Sequence, residues 1–147
     1  MAKPQIDQQV ITKLRTICAG EADQVTLMAV VAGELFHAVD GFDWVGFYRV
    51  VAPGVLKLGP YQGGHGCLVI PFDMGVCGAA AREQQTQIVS DVHQFDGHIA
   101  FATSTQSELA ILVFDKDHNL VVILDVDSDQ PAFFSRQLAT QLETLLT

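Results

Sequence analysis

The sequence is poor in basic residues, in charge of either sign and in long apolar runs. Only 8 of its 147 residues are lysine or arginine, against 17 aspartate and glutamate, which gives a formal net charge of −9. A chain with this charge repels phosphates, so neither nucleic acid nor an anionic membrane surface is expected as a partner. Apolar runs such as residues 120–124 suit a buried strand and are too short to span a bilayer.

Cysteine is also scarce, and the chain contains only three. A small, odd number of cysteines does not make the disulfide framework of a small secreted protein. The first nine residues are polar and lack the apolar core of a signal peptide. We therefore expect a cytoplasmic protein.

What the chain has in quantity is hydrophobic residues, at 49%, with only 17% charged. This composition indicates a globular protein, and 147 residues are enough for a single domain, residues 1–147, around one sizeable core. Apolar spacing predicts helices at residues 5–19, 23–39, 75–83 and 133–146. Strands are predicted at residues 44–51, 55–58, 67–70, 87–89, 109–114 and 120–126, with a bend at 59–64 and a long polar loop at 91–107. Terminal helices around a run of strands predict an α+β fold with one antiparallel sheet.

Two carboxylates fall on one face of the last strand. Asp125 and Asp127 alternate with Leu124 and Val126, so the acidic and the apolar side chains point to opposite faces. Glu108, at the start of the preceding strand, is expected close by. Such a trio would attract an ammonium group or a divalent metal, although solvated residues that end a strand would give the same pattern.

Two cysteines are candidates for thiol chemistry. Cys77 lies at the predicted N-terminus of a helix, where the helix dipole favours a thiolate and lowers the thiol pKa, but a cysteine among glycine and alanine is also typical of a packed core. Cys67 lies ten positions earlier, and whether the two sulfurs come within disulfide distance depends on side-chain directions that the sequence does not define. Cys18, on the apolar face of the first helix, is expected to serve packing.

Aromatic and histidine residues complete the candidates. Trp44 and Tyr48 share one face of a strand, where they would enclose an apolar ligand, stack on a cation or simply join the core. His65, His93 and His98 fit no known pattern of metal ligands, so no metal site is expected.

Seven motifs in a fixed order carry a family resemblance. They are Asp43-Trp44-Val45-Gly46-Phe47-Tyr48, Leu58-Gly59-Pro60-Tyr61-Gln62-Gly63, Gly75-Val76-Cys77-Gly78, Asp91-Val92-His93, Gly97-His98-Ile99-Ala100, Ser107-Glu108 and Leu124-Asp125-Val126-Asp127-Ser128. In these motifs the chain resembles the free methionine-(R)-sulfoxide reductases, which are single GAF domains. The resemblance implies a GAF fold, with a central antiparallel sheet and the N- and C-terminal helices packed on one side.

The same resemblance implies a ligand and a chemistry. Free methionine-(R)-sulfoxide, or a similar small amino acid, would bind with its ammonium and polar groups at Glu108, Asp125 and Asp127 and its sulfoxide end between Trp44 and Tyr48. Family members use three cysteines, without a cofactor, and are reduced by thioredoxin or another dithiol. Cys67 and Cys77 match two of the three. The third follows Gly-His-Ile-Ala and precedes aspartate in the family, and this chain has Phe101 and Ala102 there.

Three functional hypotheses follow from the resemblance. The first is reduction of free methionine-(R)-sulfoxide through Cys77 with Cys67. The second is a catalytically inactive GAF module that binds methionine sulfoxide or another small ligand, which the change to Phe101 favours. The third is a structural or partner-binding GAF domain, a homodimer formed through the apolar faces of residues 6–18 and 134–145, although those faces would also suit packing within one chain.

Overall fold

A computed structural model of the chain describes residues 4–97 and 104–147. Four helices and six strands make up this part of the molecule, and none of these helices is long and apolar enough to cross a membrane. In chain order the elements are α1 (Gln8–Cys18), α2 (Gln24–Ala38), β1 (Trp44–Ala52), β2 (Val55–Gln62), β3 (Val69–Pro71), α3 (Gly75–Glu83), β4 (Gln87–Val89), β5 (Ser107–Phe114), β6 (Leu120–Ser128) and α4 (Arg136–Leu145).

The six strands form one sheet in the order β3-β2-β1-β6-β5-β4, and every neighbouring pair is antiparallel. The long strands β1 and β6 lie at its centre. Residues 115–119 make the turn between β5 and β6, in which Asp115 accepts backbone hydrogen bonds from Asp117 and Asn119. The predicted α+β class and the antiparallel sheet are confirmed.

The two faces of the sheet carry different cores. On one face, α1, α2 and α4 pack on a large apolar cluster that includes Leu14, Leu35, Phe47, Leu124 and Leu142. On the other face lies α3, whose small residues pack with a second cluster that includes Leu56, Ile70, Ile123, Trp44 and Tyr48. Because the apolar faces of α1 and α4 are buried in the first cluster of the same chain, they do not provide a surface for a dimer.

Helix boundaries follow local capping chemistry. Asp23 accepts a hydrogen bond from the Thr26 amide and so begins α2 at the predicted place. Ser135 accepts one from the Leu138 amide and begins α4, three positions after the predicted start at Phe133. Phe133 and Phe134 are instead buried in the connection that precedes the helix.

The predicted bend at residues 59–64 is wrong for residues 59–62, which continue β2. Gly59 and Pro60 together oppose Phe47, so a bulge absorbs them without ending the strand. Proline is tolerated there because β3 pairs only with residues 55–57, and within residues 4–97 and 104–147 no strand pairs with the rest of β2 on that side.

Candidate active site

One pocket opens between α3 and the face of the sheet that the terminal helices leave uncovered. The seven residues predicted for catalysis or substrate binding all line it. The lining residues are Trp44, Tyr48, His65, Gly66, Cys67, Ile70, Gly75, Val76, Cys77, Thr105, Glu108, Asp125 and Asp127.

The register of the three central strands brings the carboxyl groups together. Glu108 on β5 faces Asp127 on β6, which in turn faces Trp44 on β1. In the next row towards α3, Asp125 stands between the small residues Ala110 and Gly46. Leu124 and Val126 point into the opposite core, as the alternation predicts. Like charges directly across a sheet repel, so this arrangement requires protons or a bound cation for neutralisation.

Each of the three carboxyl groups holds its proton more tightly than usual. Burial, together with repulsion from Asp127, raises the pKa of Glu108 to about 8. Burial and its acidic neighbours also raise the pKa values of Asp125 and Asp127 well above their ordinary range. The buried Oδ1 atoms of Asp125 and Asp127 receive no hydrogen bond from the part of the chain that the structure describes. A ligand with positively charged N–H groups would satisfy both the charge and the hydrogen-bonding demand.

Cys77 lies in the first turn of α3, fully within the pocket floor. Its Sγ and one carboxylate oxygen each from Glu108 and Asp125 lie within 4.8 Å of one another, so the thiol lies beside two acidic side chains. The prediction of a lowered thiol pKa is wrong, because burial and these carboxylates raise the pKa of Cys77 well above its ordinary value. The helix dipole favours the thiolate, but burial away from water and three acidic groups disfavour it and outweigh the dipole.

The same sulfur and oxygen atoms have the chemistry of a cation site, since thiolate and carboxylate are both zinc ligands. This set of residues contains no histidine. The histidine spacing, from which no metal site is expected, therefore says nothing about it. Absence of a metal stays a prediction.

An aromatic stack forms one wall of the pocket. Trp44 lies between Tyr61, at 5.3 Å between ring centroids, and Tyr48, at 6.1 Å, with interplanar angles of 17° and 24°. The indole Nε1 donates a hydrogen bond of 3.1 Å to the backbone carbonyl of Gly64. Burial and the nearby Asp125 raise the pKa of Tyr48 far above its ordinary value, so its hydroxyl remains a proton donor at every physiological pH.

Cys67 lines the pocket from the segment that precedes β3. It is half-buried, and its thiol donates a hydrogen bond of 3.1 Å to the Val69 carbonyl. Cys18, Cys67 and Cys77 are all free thiols. Cys18 packs against the helix-side core, away from the pocket, as predicted.

Several pocket residues escaped sequence reasoning. Gly66 and Thr105 belong to irregular segments, where no periodicity shows the direction of a side chain. The spacing of His65 with His93 and His98 indicates only that they do not form a metal site, whereas in the structure His65 lines the pocket and His93 lies in the short 3-10 turn Val92–Gln94. The positions that carry the departure from the family pattern, Phe101 and Ala102, lie outside the described residues, as does His98.

The central antiparallel sheet, the terminal helices on one face and the pocket on the other define a GAF domain. A GAF sensor protein from Burkholderia vietnamiensis superposes with a TM-score of 0.88 at 34% sequence identity, over 95% of this chain and 87% of that one. No protein-family model matches the chain.

Sequence similarity over nearly the full chain identifies the family as well as the fold. The free methionine-R-sulfoxide reductase of Escherichia coli is 33% identical over 99% of this chain and 92% of its own length. The Neisseria meningitidis enzyme of the same name, solved in complex with its substrate, has a TM-score of 0.88 and 36% identity over 95% of this chain and 83% of its own. The chain belongs to the free methionine-R-sulfoxide reductase family.

Proposed function

We propose that this chain binds free methionine-(R)-sulfoxide in the pocket and reduces it with the thiols of Cys77 and Cys67. The observation that carries the proposal is the convergence of two free thiols, three carboxyl groups and an aromatic wall on one pocket. A relative of 36% identity has been solved with its substrate bound, which supports a small-molecule ligand here.

Recognition of the amino acid rests on Glu108, Asp125 and Asp127. The substrate ammonium would donate hydrogen bonds to carboxylate oxygens, including the two Oδ1 atoms that receive none from the described residues. Because the groups are buried, a bound cation favours their ionised forms, and binding would release protons that the empty site holds. Trp44 and Tyr48 would enclose the sulfoxide end.

The redox chemistry balances with the two cysteines alone. The Cys77 sulfur attacks the sulfoxide sulfur and forms an S–S bond with it. The oxygen then bonds to the Cys77 sulfur while this S–S bond and the original S–O bond break, so that free methionine leaves reduced and Cys77 is oxidised to a sulfenic acid. The Cys67 thiol then displaces that oxygen as water, and a disulfide forms. In the first step the cluster of Glu108, Asp125 and Asp127 exchanges the protons: a carboxyl group that stays protonated beside the single ammonium gives its proton to the sulfoxide oxygen, and an ionised one takes the thiol proton of Cys77.

The disulfide must then be reduced by an external dithiol, which exchanges with it and leaves as a disulfide itself. We propose thioredoxin or another dithiol in this role. Leu68, Val69 and Met74, which neighbour the pocket residues Cys67, Ile70 and Gly75 in the chain, are exposed apolar residues that would contact such a reductant. No organic cofactor is required by this scheme.

A second candidate function is binding without reduction. It is favoured by Phe101, which has neither lone pair nor proton for redox work, and by the raised pKa of Cys77, which keeps this thiol in its less nucleophilic form. In that case the pocket would sense or sequester methionine sulfoxide or a related amino acid.

Two measurements on the purified protein separate these functions. Incubation with each isomer of free methionine sulfoxide and excess dithiothreitol, followed by chiral chromatography, should show loss of the R isomer only. Calorimetry with the R isomer should show binding for either candidate. Binding without loss would leave the second candidate, and absence of both would overturn the proposal.

We also propose that the protein is cytoplasmic and forms a homodimer, as GAF domains commonly do. The dimer would need a surface other than the buried faces of α1 and α4, and the exposed Ile17 and Val25 around the α1–α2 connection are available. Light scattering should give twice the chain mass of 15.9 kDa, and a monomer mass at micromolar concentration would contradict the dimer.

A further inference from the structure

We infer that Gly66 is a specificity-determining residue, because the absence of a side chain there leaves the room beside the indole of Trp44 that a long ligand side chain needs. The inference rests on the proposed binding of an amino acid, and it adds the residue that selects the ligand by size. It is based on the close packing of glycine residues around Trp44.

Three glycines surround Trp44, the only tryptophan of the chain. A Cβ atom at Gly46 would come within 2.4 Å of Cη2 of the indole, one at Gly63 within 2.7 Å of Cδ1, and one at Gly66 within 2.8 Å of Cζ2. Contacts under about 3 Å between carbon atoms are repulsive, since the optimum separation is about 3.5–4.0 Å. The indole ring therefore packs closely against the backbone of all three glycines.

The indole cannot readily turn away from a new methyl group at residue 66. Tyr61 stacks on the ring at 5.3 Å, and the Nε1 hydrogen bond to the Gly64 carbonyl fixes its rotation. The same methyl group would also lie 3.3 Å from the Tyr48 hydroxyl. The atoms nearest to a Cβ at Gly46 or Gly63 belong to Trp44, Tyr61 and Asp43, and of the three glycines Gly66 is the one that lines the pocket.

Gly66 faces the Cζ2 edge of the indole, whose Cη2 and Cζ3 atoms lie over Gly46 towards Tyr61 of β2. Although the backbone of Trp44 pairs with Asp127, a methyl group at residue 66 therefore acts on the aromatic end of the pocket and not on its carboxyl groups. The groups proposed for the ammonium, Glu108, Asp125 and Asp127, belong to the central strands β5 and β6, and Gly66 belongs to the segment between β2 and β3. A displaced indole would narrow the space for the distal end of a long side chain. The site for the ammonium and the first carbons of the ligand would stay as it is.

The test compares Gly66→Ala with Gly64→Ala by calorimetry, using free L-methionine-(R)-sulfoxide and the shorter L-2-aminobutyrate. Gly64 lies in the same segment outside the pocket, and a Cβ there meets nothing within 4 Å. For Gly66→Ala we expect at least about tenfold weaker binding of the sulfoxide and about twofold or less change for aminobutyrate. Both affinities of Gly64→Ala should match the wild type.

Equal losses for both ligands in Gly66→Ala, or no loss for either, would overturn the inference while leaving the proposed function intact. A wild-type protein that binds neither amino acid would overturn the proposed function, and the inference with it. The fluorescence of Trp44 gives a ligand-free readout, because Gly66→Ala should change its emission and Gly64→Ala should not.

If circular dichroism shows that Gly66→Ala is unfolded, the double variant Gly66→Ala/Trp44→Phe takes its place. Phenylalanine has no atom at the Cζ2 position, so it removes the closest contact. The double variant should bind the sulfoxide as well as Trp44→Phe alone. A further loss of about tenfold or more in the double variant would show that residue 66 acts by another route.

Discussion

Cys77 is the residue on which the proposed reduction depends most directly. Cys77→Ser keeps a small polar side chain in the pocket floor but cannot form a sulfenic acid, so loss of methionine-(R)-sulfoxide in the presence of dithiothreitol should fall to background. Cys18→Ser changes a cysteine on the opposite side of the sheet and should retain the wild-type rate. Turnover by Cys77→Ser at the Cys18→Ser rate would remove Cys77 from the mechanism.

Recognition of the ammonium group can be tested at a single residue, Asp125. Asp125→Asn keeps the size of the side chain but cannot ionise when the ammonium binds, so we expect about 10- to 100-fold weaker binding of methionine sulfoxide, the usual cost of a hydrogen bond to a charged group. As a matched ligand control, the N-acetylated sulfoxide lacks the ammonium and should not bind to either protein. Unchanged calorimetric affinity in Asp125→Asn would contradict this role.

At the scale of elements, α3 holds Cys77 in place through a close contact with the end of β3. A Cβ atom at Gly78 would lie 2.8 Å from the Pro71 carbonyl and 3.0 Å from that of Phe72, so Gly78→Ala must push α3 away from this turn. We expect a loss of about 1–3 kcal/mol in the free energy of unfolding, measured with urea, and weaker methionine sulfoxide binding.

The control for Gly78→Ala is Gly33→Ala in the middle of α2, where a Cβ meets nothing within 4 Å. There the substitution should stabilise the protein by about 0.5–1 kcal/mol, because alanine loses less conformational entropy than glycine in a helix. If Gly78→Ala and Gly33→Ala both raised, or both lowered, the free energy of unfolding, the close packing of α3 against Pro71 and Phe72 would be contradicted.

The sequence predicts the elements with strong periodicity and misses what depends on tertiary context. The carboxylates of β6 follow from strict alternation with Leu124 and Val126, and the α2 start follows from its Asp23 cap. The continuation of β2 through Pro60 could not be predicted, since it depends on β3 being short. Nor could the raised pKa of Cys77, because the opposing groups come from strands more than thirty residues away in the chain.

At the scale of the whole molecule, the buried acidic groups make stability depend on pH. In the folded protein the pKa of Glu108 is about 8, above its value in an unfolded chain of about 4.3, so the folded state binds the additional proton between these values. The free energy of unfolding should therefore fall as the pH rises from about 4.5 to 8. At about 1.4 kcal/mol per pKa unit the fall amounts to a few kcal/mol.

Urea unfolding at several pH values measures this dependence. Glu108→Gln removes the titrating group while it keeps the side-chain shape, so its stability should vary less with pH and should exceed that of the wild type at pH 8. Glu21, an exposed residue between α1 and α2, provides the control, and Glu21→Gln should follow the wild-type curve. Stability that rises with pH over this range in the wild type would contradict the buried, protonated state of the cluster.

The central claim is that Cys77 and Cys67 reduce the R isomer within one pocket, and a single turnover tests it most directly. Fully reduced protein receives one equivalent of free methionine-(R)-sulfoxide without any reductant, and mass spectrometry follows the thiols and the product. We expect one equivalent of methionine and one disulfide between Cys67 and Cys77, and neither product from the S isomer. Thiols that stay reduced, with no methionine formed from the R isomer, would contradict the account.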